Sequence, residues 1–187
     1  MPPDPPGAAN VEPGNRLRII ELTPTRVWFR IYETAVPWSP VRTGYNPRTR
    51  SYVAYREGSA PLPVFQRRVR PLLKLVYQRM PRKPLGENGA PVVASFLFGL
   101  PLPKRCPRNR LWTPCTAKPD LTNLQKALED CFQNEKYSIH ILDNDSRIVS
   151  YGHPELPHAK VYSEEGFFEV LLEEVPLIKQ PPKRRKT

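Results

Sequence analysis

The stretch PVVASFLFGL, residues 91–100, decides the fold. It is apolar and β-branched enough for a central strand, and it runs into PLPKRCPRNRLWTPCTAKP (101–119), a basic loop rich in proline. The next run, KPDLTNLQKALEDCF (118–132), has helical periodicity over about 121–133. With successive residues 100° apart, Leu121, Leu124, Leu128, Cys131 and Phe132 fall on one side, and Asn123, Lys126 and Asp130 on the other. Pro119 biases Lys118 away from helix, which marks the boundary and leaves Asp120 at the helix start.

Outward from this unit, RIVSYG (147–152) and GFFEVLLEEV (166–175) read as two further strands, and RVWFRIYE (26–33) alternates like a strand with one buried face. AVPWSPVRTGYNPRTRSYVAYRE (35–57) reads as an irregular basic loop. PVFQRRVRPLLKLVYQRM (63–80) carries Val64, Phe65, Val69, Leu72, Leu73, Val76 and Met80 at helical spacing, with a kink or restart expected at Pro71. No internal repeat is present. The expected fold class is α+β (mixed α/β): a small mixed β-sheet with helices packed against it. One domain is expected over 16–178, between a disordered proline-rich extension (1–15) and a basic disordered tail (179–187).

Charge points to the partner. The chain of 187 residues has a formal net charge of +11, from 29 Lys and Arg against 18 Asp and Glu. Residues 1–119 hold 20 basic and 6 acidic side chains, and residues 120–187 hold 9 and 12. Such an excess favours a polyanion, and with no basic amphipathic helix for a membrane surface, nucleic acid leads. No apolar run is long enough for a membrane span, and the first fifteen residues lack the order of a secretory signal, so a cytoplasmic protein is expected. Cys106, Cys115 and Cys131 form no zinc-binding spacing and read as reduced structural thiols; His140, His153 and His158 are scattered.

A second acidic run, LDNDSRI (142–148), precedes the strand at 147–152. Carboxylates from a helix start and a strand start are what a hard divalent cation needs, because Mg²⁺ takes oxygen ligands, often one or two carboxylates plus waters and substrate phosphates. A lysine beside them would offset charge on a phosphate under attack. The competing reading makes Asp120 an ordinary N-cap and Asn123, Lys126 and Asp130 solvated side chains.

The two segments together resemble the RusA-type Holliday junction resolvases, whose signature runs approximately D-x-D-N-L-x-K-x-x-x-D and then D-D-x-Q-[IV]. Asp120, Asn123, Leu124, Lys126 and Asp130 match the first part, and Asp145, Ser146 and Ile148 stand at the second. The resemblance covers about 26–175, with 118–151 its diagnostic part. It implies a homodimer that resolves four-way junctions in branched DNA by paired Mg²⁺-dependent nicking, with Mn²⁺ as a substitute, in DNA recombination and repair. It assigns Asp120 and Asp145 to the metal, Lys126 to the scissile phosphate or leaving oxygen, and Asn123 to orienting a ligand or water.

Two departures stand out. Thr122 replaces the second acid of D-x-D, and Asn144 replaces the first acid of D-D, with Asp143 immediately before it. Asp143, Asp130 or the Thr122 hydroxyl are the alternatives for the missing ligand, and a junction-binding protein of weakened or lost catalysis is the alternative function. Arg42, Arg48, Arg50, Lys104, Arg105, Arg108, Arg110, Lys118 and Arg147 are the expected phosphate contacts. The loop aromatics Trp38, Tyr45, Tyr52 and Trp112 read as loop anchors or base-stacking platforms.

Overall fold

The computed structural model describes residues 16–38, 41–56, 61–82, 84–134 and 137–176. The expected disordered extensions lie outside these residues. The described chain forms β1 (Leu17–Leu22), β2 (Arg26–Ile31), β3 (Val41–Asn46), β4 (Ser51–Arg56), α1 (Pro61–Arg79), β5 (Val92–Pro101), α2 (Leu121–Phe132), the short pair β6 (Gln133–Asn134) and β7 (Ile139–His140), then β8 (Ile148–Tyr151), β9 (Ala159–Ser163) and β10 (Phe167–Glu174). The architecture is α+β, a mixed six-stranded sheet with two helices.

The strand read from residues 91–100 is central. β5 pairs antiparallel with β10 on one side and, on the other, parallel first with β8 and then with β9. The sheet order is β1-β2-β10-β5-β8, with β9 beside the far end of β5. Because β5 and β8 are parallel, the chain between them must cross over, and α2 makes that crossover.

Both helices lay their apolar stripes on one face of this sheet. Leu62, Phe65, Val69, Leu73 and Val76 of α1 are buried, as are Leu124, Leu128, Cys131 and Phe132 of α2. Phe132 anchors the second helix. Its ring stacks on Phe96 of β5 at 6.2 Å and meets Phe29 of β2 edge-on at 6.4 Å. Such pairs contribute about 0.5–1.5 kcal/mol each beyond their burial.

Three expectations change. The segment 35–57 is not wholly irregular: β3 and β4 form an antiparallel hairpin, with Tyr45 opposite Tyr52 and a turn over 47–50. Its prolines and arginines hid an alternation of Thr, Tyr and Val that suits paired strands. The helix over 63–80 runs as one element from Pro61 to Arg79 with Pro71 inside it. Third, β1 and β9 are strands that the sequence pattern does not predict. Each is a short strand of mixed polarity (LRIIEL and AKVYS), and each lies against a single neighbour in the six-stranded sheet.

Candidate active site and nucleic-acid interface

The loop from β5 to α2 crosses the sheet edge and is tied to β9. Trp112 N–H donates to Tyr162 O (2.7 Å), Tyr162 N–H to Thr113 O (3.1 Å) and Cys115 N–H to Lys160 O (2.9 Å). The Lys160 ammonium then donates to the carbonyls of Ala117 and Pro119, the latter at 2.7 Å. A long basic loop is thereby held next to the helix start. Lys104, Arg105, Arg108, Arg110 and Lys118 all stand exposed on it.

Asp120 has extended backbone angles (φ −69°, ψ 144°) and occupies the N-cap position of α2, with its carbonyl accepting from Leu124 N–H at 3.2 Å. Its side chain makes no capping hydrogen bond. The exposed carboxylate is therefore not consumed by helix initiation, which separates it from the ordinary N-cap of the competing reading.

The helix face opposite the core is built as expected, with Lys126 and Asp130 exposed and Asn123 half-buried. The segment after β2 straps across it. Trp38 N–H donates to Asn123 O at 2.7 Å, and the Lys126 ammonium lies 4.8 Å from the centre of the Trp38 ring. Trp38 is half-buried against the core, so its observed place is that of an anchor under the motif lysine. Trp112, by contrast, is exposed, and its ring lies 5.8 Å from Phe167.

Downstream, Ile141 N–H returns to Phe132 O at the end of α2, and Asp143 N–H bonds Leu85 O. Asp143 then pairs with Arg147 at 3.3 Å. The Asn144 side chain accepts from Ser146 N–H at 2.9 Å and so caps the single 3-10 turn, Asp145–Arg147. This leaves the exposed Asp145 carboxylate free of the capping role.

Gly86 lies close against the Arg147 side chain. A Cβ on Gly86 would come within 2.9 Å of Arg147 Cγ, and Gly86 sits at φ +80°, a conformation that favours glycine.

A further group was not legible in advance. Glu129 lies seven residues beyond Thr122, close to the same angle on α2. Its Oε1 accepts from Gln125 Nε2 at 2.8 Å and from the Tyr151 hydroxyl of β8 at 2.9 Å. Partial burial, then the Glu129 carboxylate, and then the field of Asp145, push the Tyr151 phenol above its ordinary value, so it stays a donor. Asp145, Tyr151, Glu129 and Gln125 thus form one electrostatic neighbourhood. Asp120 lies nine residues before Glu129, about 14 Å along the helix axis at 1.5 Å per residue. The signal that could have found Glu129 is the i, i+7 relation to the position where an acid was expected.

Among the described residues, no three His, Cys, Asp or Glu side chains converge as a metal cage. The free groups are carboxylate oxygens, the donor chemistry of Mg²⁺ or Mn²⁺, and an ion that keeps several waters needs only one or two of them. The residues fit that mode of binding and not a closed protein-built site. Arg48 and Arg50 are exposed in the β3–β4 turn, and Arg42 lies on β3 opposite Tyr55.

The domain is basic and α+β, with the uncommitted carboxylates of Asp120 and Asp145 and a motif lysine, Lys126, which is the chemistry a phosphodiester-cutting nuclease would need. The family model of the endodeoxyribonuclease RusA matches residues 39–173, and the chain belongs to that family. Its members are endodeoxyribonucleases that act on Holliday junctions and are generally dependent on a divalent metal. No curated protein matches the chain. No helix among the described residues is long and apolar enough to cross a membrane.

Proposed function

We propose that the protein is a Mg²⁺-dependent, structure-selective endodeoxyribonuclease that resolves four-way DNA junctions by paired nicking, as a homodimer, in recombination and repair in the cytoplasm. The observation that carries this reading is that Asp120 and Asp145 stand at a helix start and in a capped turn, yet neither side chain does the capping. Both remain available to a ligand.

In this reading Asp120 and Asp145 hold Mg²⁺, with Mn²⁺ as a substitute. When bound, the ion supplies an activated water and neutralises charge on the scissile phosphate. Lys126 leaves the Trp38 ring to meet the non-bridging or leaving oxygen, a modest cost, since an exposed cation over a ring gains about 0.5–1 kcal/mol. Asn123, fixed through its backbone by Trp38, orients a ligand or water. Asp143 is engaged by Arg147. Glu129 stands with Asp145 around the Tyr151 hydroxyl, about 14 Å along the helix axis from Asp120, so it steadies the Asp145 end of the site and is not a ligand shared with Asp120. Arg42, Arg48 and Arg50 on the hairpin, with Lys104, Arg105, Arg108, Arg110 and Lys118 on the tethered loop, grip the arms through phosphates. Two nicks at symmetric positions require two such sites, which is why a dimer belongs to the proposal.

A second reading, a junction binder of weakened catalysis, is favoured by Thr122, which offers a hydroxyl where the family motif has a carboxylate. One experiment separates the two. The protein is incubated with a labelled synthetic four-way junction and Mg²⁺ or Mn²⁺, alongside Asp145→Asn and Thr122→Asp. Symmetric nicks by the wild type, reduced at least about a hundredfold in Asp145→Asn with binding retained, support the nuclease. Tight binding with no nicks at any metal concentration, and cutting only in Thr122→Asp, would establish the second reading.

A further inference from the structure

An open cavity of about 690 Å³ lies between α1 and the turn that leads into β7. One wall is a single stripe of α1: Pro63, Arg67, Arg70, Pro71 and Lys74; the other is Tyr137, Ser138 and Ile139. Arg67, Arg70 and Lys74 follow i, i+3, i+7 spacing and so stand in a row about 10 Å long. No acidic side chain lines the cavity among the described residues. Arg67 and Lys74 are exposed and make no ion pair among those residues, whereas Arg68, on another side of the same helix, is paired with Glu33 at 3.3 Å.

Arg70 is held in place from two sides. Its guanidinium lies 4.0 Å from the centre of the Tyr137 ring, and Nη2 donates to Gln66 Oε1 at 3.1 Å. Its buried Nε has no acceptor among the described residues. A fixed arginine between two uncommitted cations, in an open channel with an aromatic far wall, is not needed for packing. Solubility alone would not gather the three into one concave strip.

Resting on the junction-nuclease reading, we propose that this α1 cleft is a binding track for the phosphodiester backbone of a duplex DNA arm, separate from the hairpin and the β5–α2 loop. A row of three cations over about 10 Å matches the axial rise of about three base pairs at 3.4 Å each. The cleft is open along its length, which suits a polymer that enters and leaves it. Contacts of this kind position the arm and carry no sequence information.

The test is the salt dependence of binding, measured on the full chain with both a labelled four-way junction and a linear duplex. Arg67→Ala/Lys74→Ala removes two exposed cations and leaves Arg70 in place. Arg79→Ala, exposed on the same helix but off the stripe, is the charge control. Removing two phosphate contacts lowers the slope of log K against log salt by about 1.8, at about 0.9 per phosphate on duplex DNA. The double variant is expected to show that drop on both probes, with the control near wild type and, at saturating junction, the nicking rate unchanged. A double variant whose slope equals the control's on both probes overturns the track. A wild type that binds and cuts no junction instead overturns the nuclease reading, and the linear duplex still decides whether the cleft holds DNA.

Discussion

Glu169 is the charge buried deepest in the sheet, and removing it should be costly in a calculable way. It sits mid-way along β10, on the face away from the helices, between Phe167 and Leu171 and in register with Leu97 of β5 and Arg30 of β2. Its Oε1 accepts from Trp28 Nε1 at 2.7 Å and its Oε2 from Arg30 Nε at 2.6 Å. The side chains of Arg30 and Glu169 are 20% and 4% exposed.

Glu169→Leu strands Arg30 in this apolar patch. Breaking a buried pair typically costs about 3–5 kcal/mol. Arg30 keeps some water and lies 4.7 Å from the centre of the Phe167 ring, so the lower end, about 3 kcal/mol, is expected. In a domain of this length that lowers Tm by about 6–12 °C. Arg30→Met/Glu169→Leu removes both charges and leaves only Trp28 Nε1–H short of an acceptor, a loss of about 1 kcal/mol. The double variant should therefore be more stable than Glu169→Leu by about 2 kcal/mol. Urea and thermal unfolding followed by circular dichroism give both numbers. If Glu169→Leu unfolds within about 0.5 kcal/mol of wild type, or if Arg30→Met/Glu169→Leu is no more stable than Glu169→Leu, the pair is not coupled as argued.

Two further outcomes follow from titrating groups. Burial holds His158 below its ordinary value, and its Nδ1 accepts from Phe96 N–H at 3.3 Å, so the folded state favours neutral imidazole. Below the unfolded value of about 6.5 the unfolded chain binds the extra proton, so this stability is present above that pH and lost as pH falls through the lowered folded value. Urea midpoints from pH 8 to 5.5 should fall more steeply in wild type than in His158→Asn; equal slopes would remove His158 from the account. Burial pushes the Cys131 thiol up to about 12, Cys115 is also buried, and Cys106 is half-exposed. A thiol reagent should label one cysteine quickly in the native protein and the other two only on unfolding; fast labelling of Cys131 would contradict the packing of α2, and of Cys115 the seating of the β5–α2 loop.

The unit β5–loop–α2–β8 was legible because its signals are local and strong: an apolar ten-residue run, a clean 100° stripe ending in Phe132, and two acidic motifs at fixed spacing. What escaped depends on partners distant in sequence. β9 is a strand because β5 offers it an edge, and AKVYS alone carries little periodicity. The β3–β4 hairpin was masked by the arginines and prolines that drew attention as a loop. Asn123, Lys126 and Asp130 were placed correctly on the polar face, yet nothing in the sequence ties Trp38 to Lys126 or Lys160 to Pro119. Glu129 carries no signal in the family motif, whose acid falls on the neighbouring Asp130. Only the Tyr151 hydroxyl, arriving from β8, singles Glu129 out.

The bearing of these carboxylates on function rests on what the fold declines to do with them. An aspartate at an N-cap position ordinarily satisfies a backbone N–H and stabilises its helix by about 1 kcal/mol. Asp120 holds that position with suitable backbone angles and makes no such bond, and the turn containing Asp145 is capped by its neighbour Asn144. Folding has cheap uses for both acids and leaves both unused, in a protein whose preceding 119 residues carry a net charge of +14, being 20 basic less 6 acidic. If the acids served only to balance that charge, they would be expected in ion pairs, as Asp143 is with Arg147 and Glu33 with Arg16 and Arg68. Acids left without an ion pair among the described residues make sense when the cations of a basic protein attract a polyanion and the carboxylates hold the ion that acts on it. On this argument, Asp120→Asn should cost little stability, since no side-chain hydrogen bond of the helix start is lost. It should cost as much nicking as Asp145→Asn.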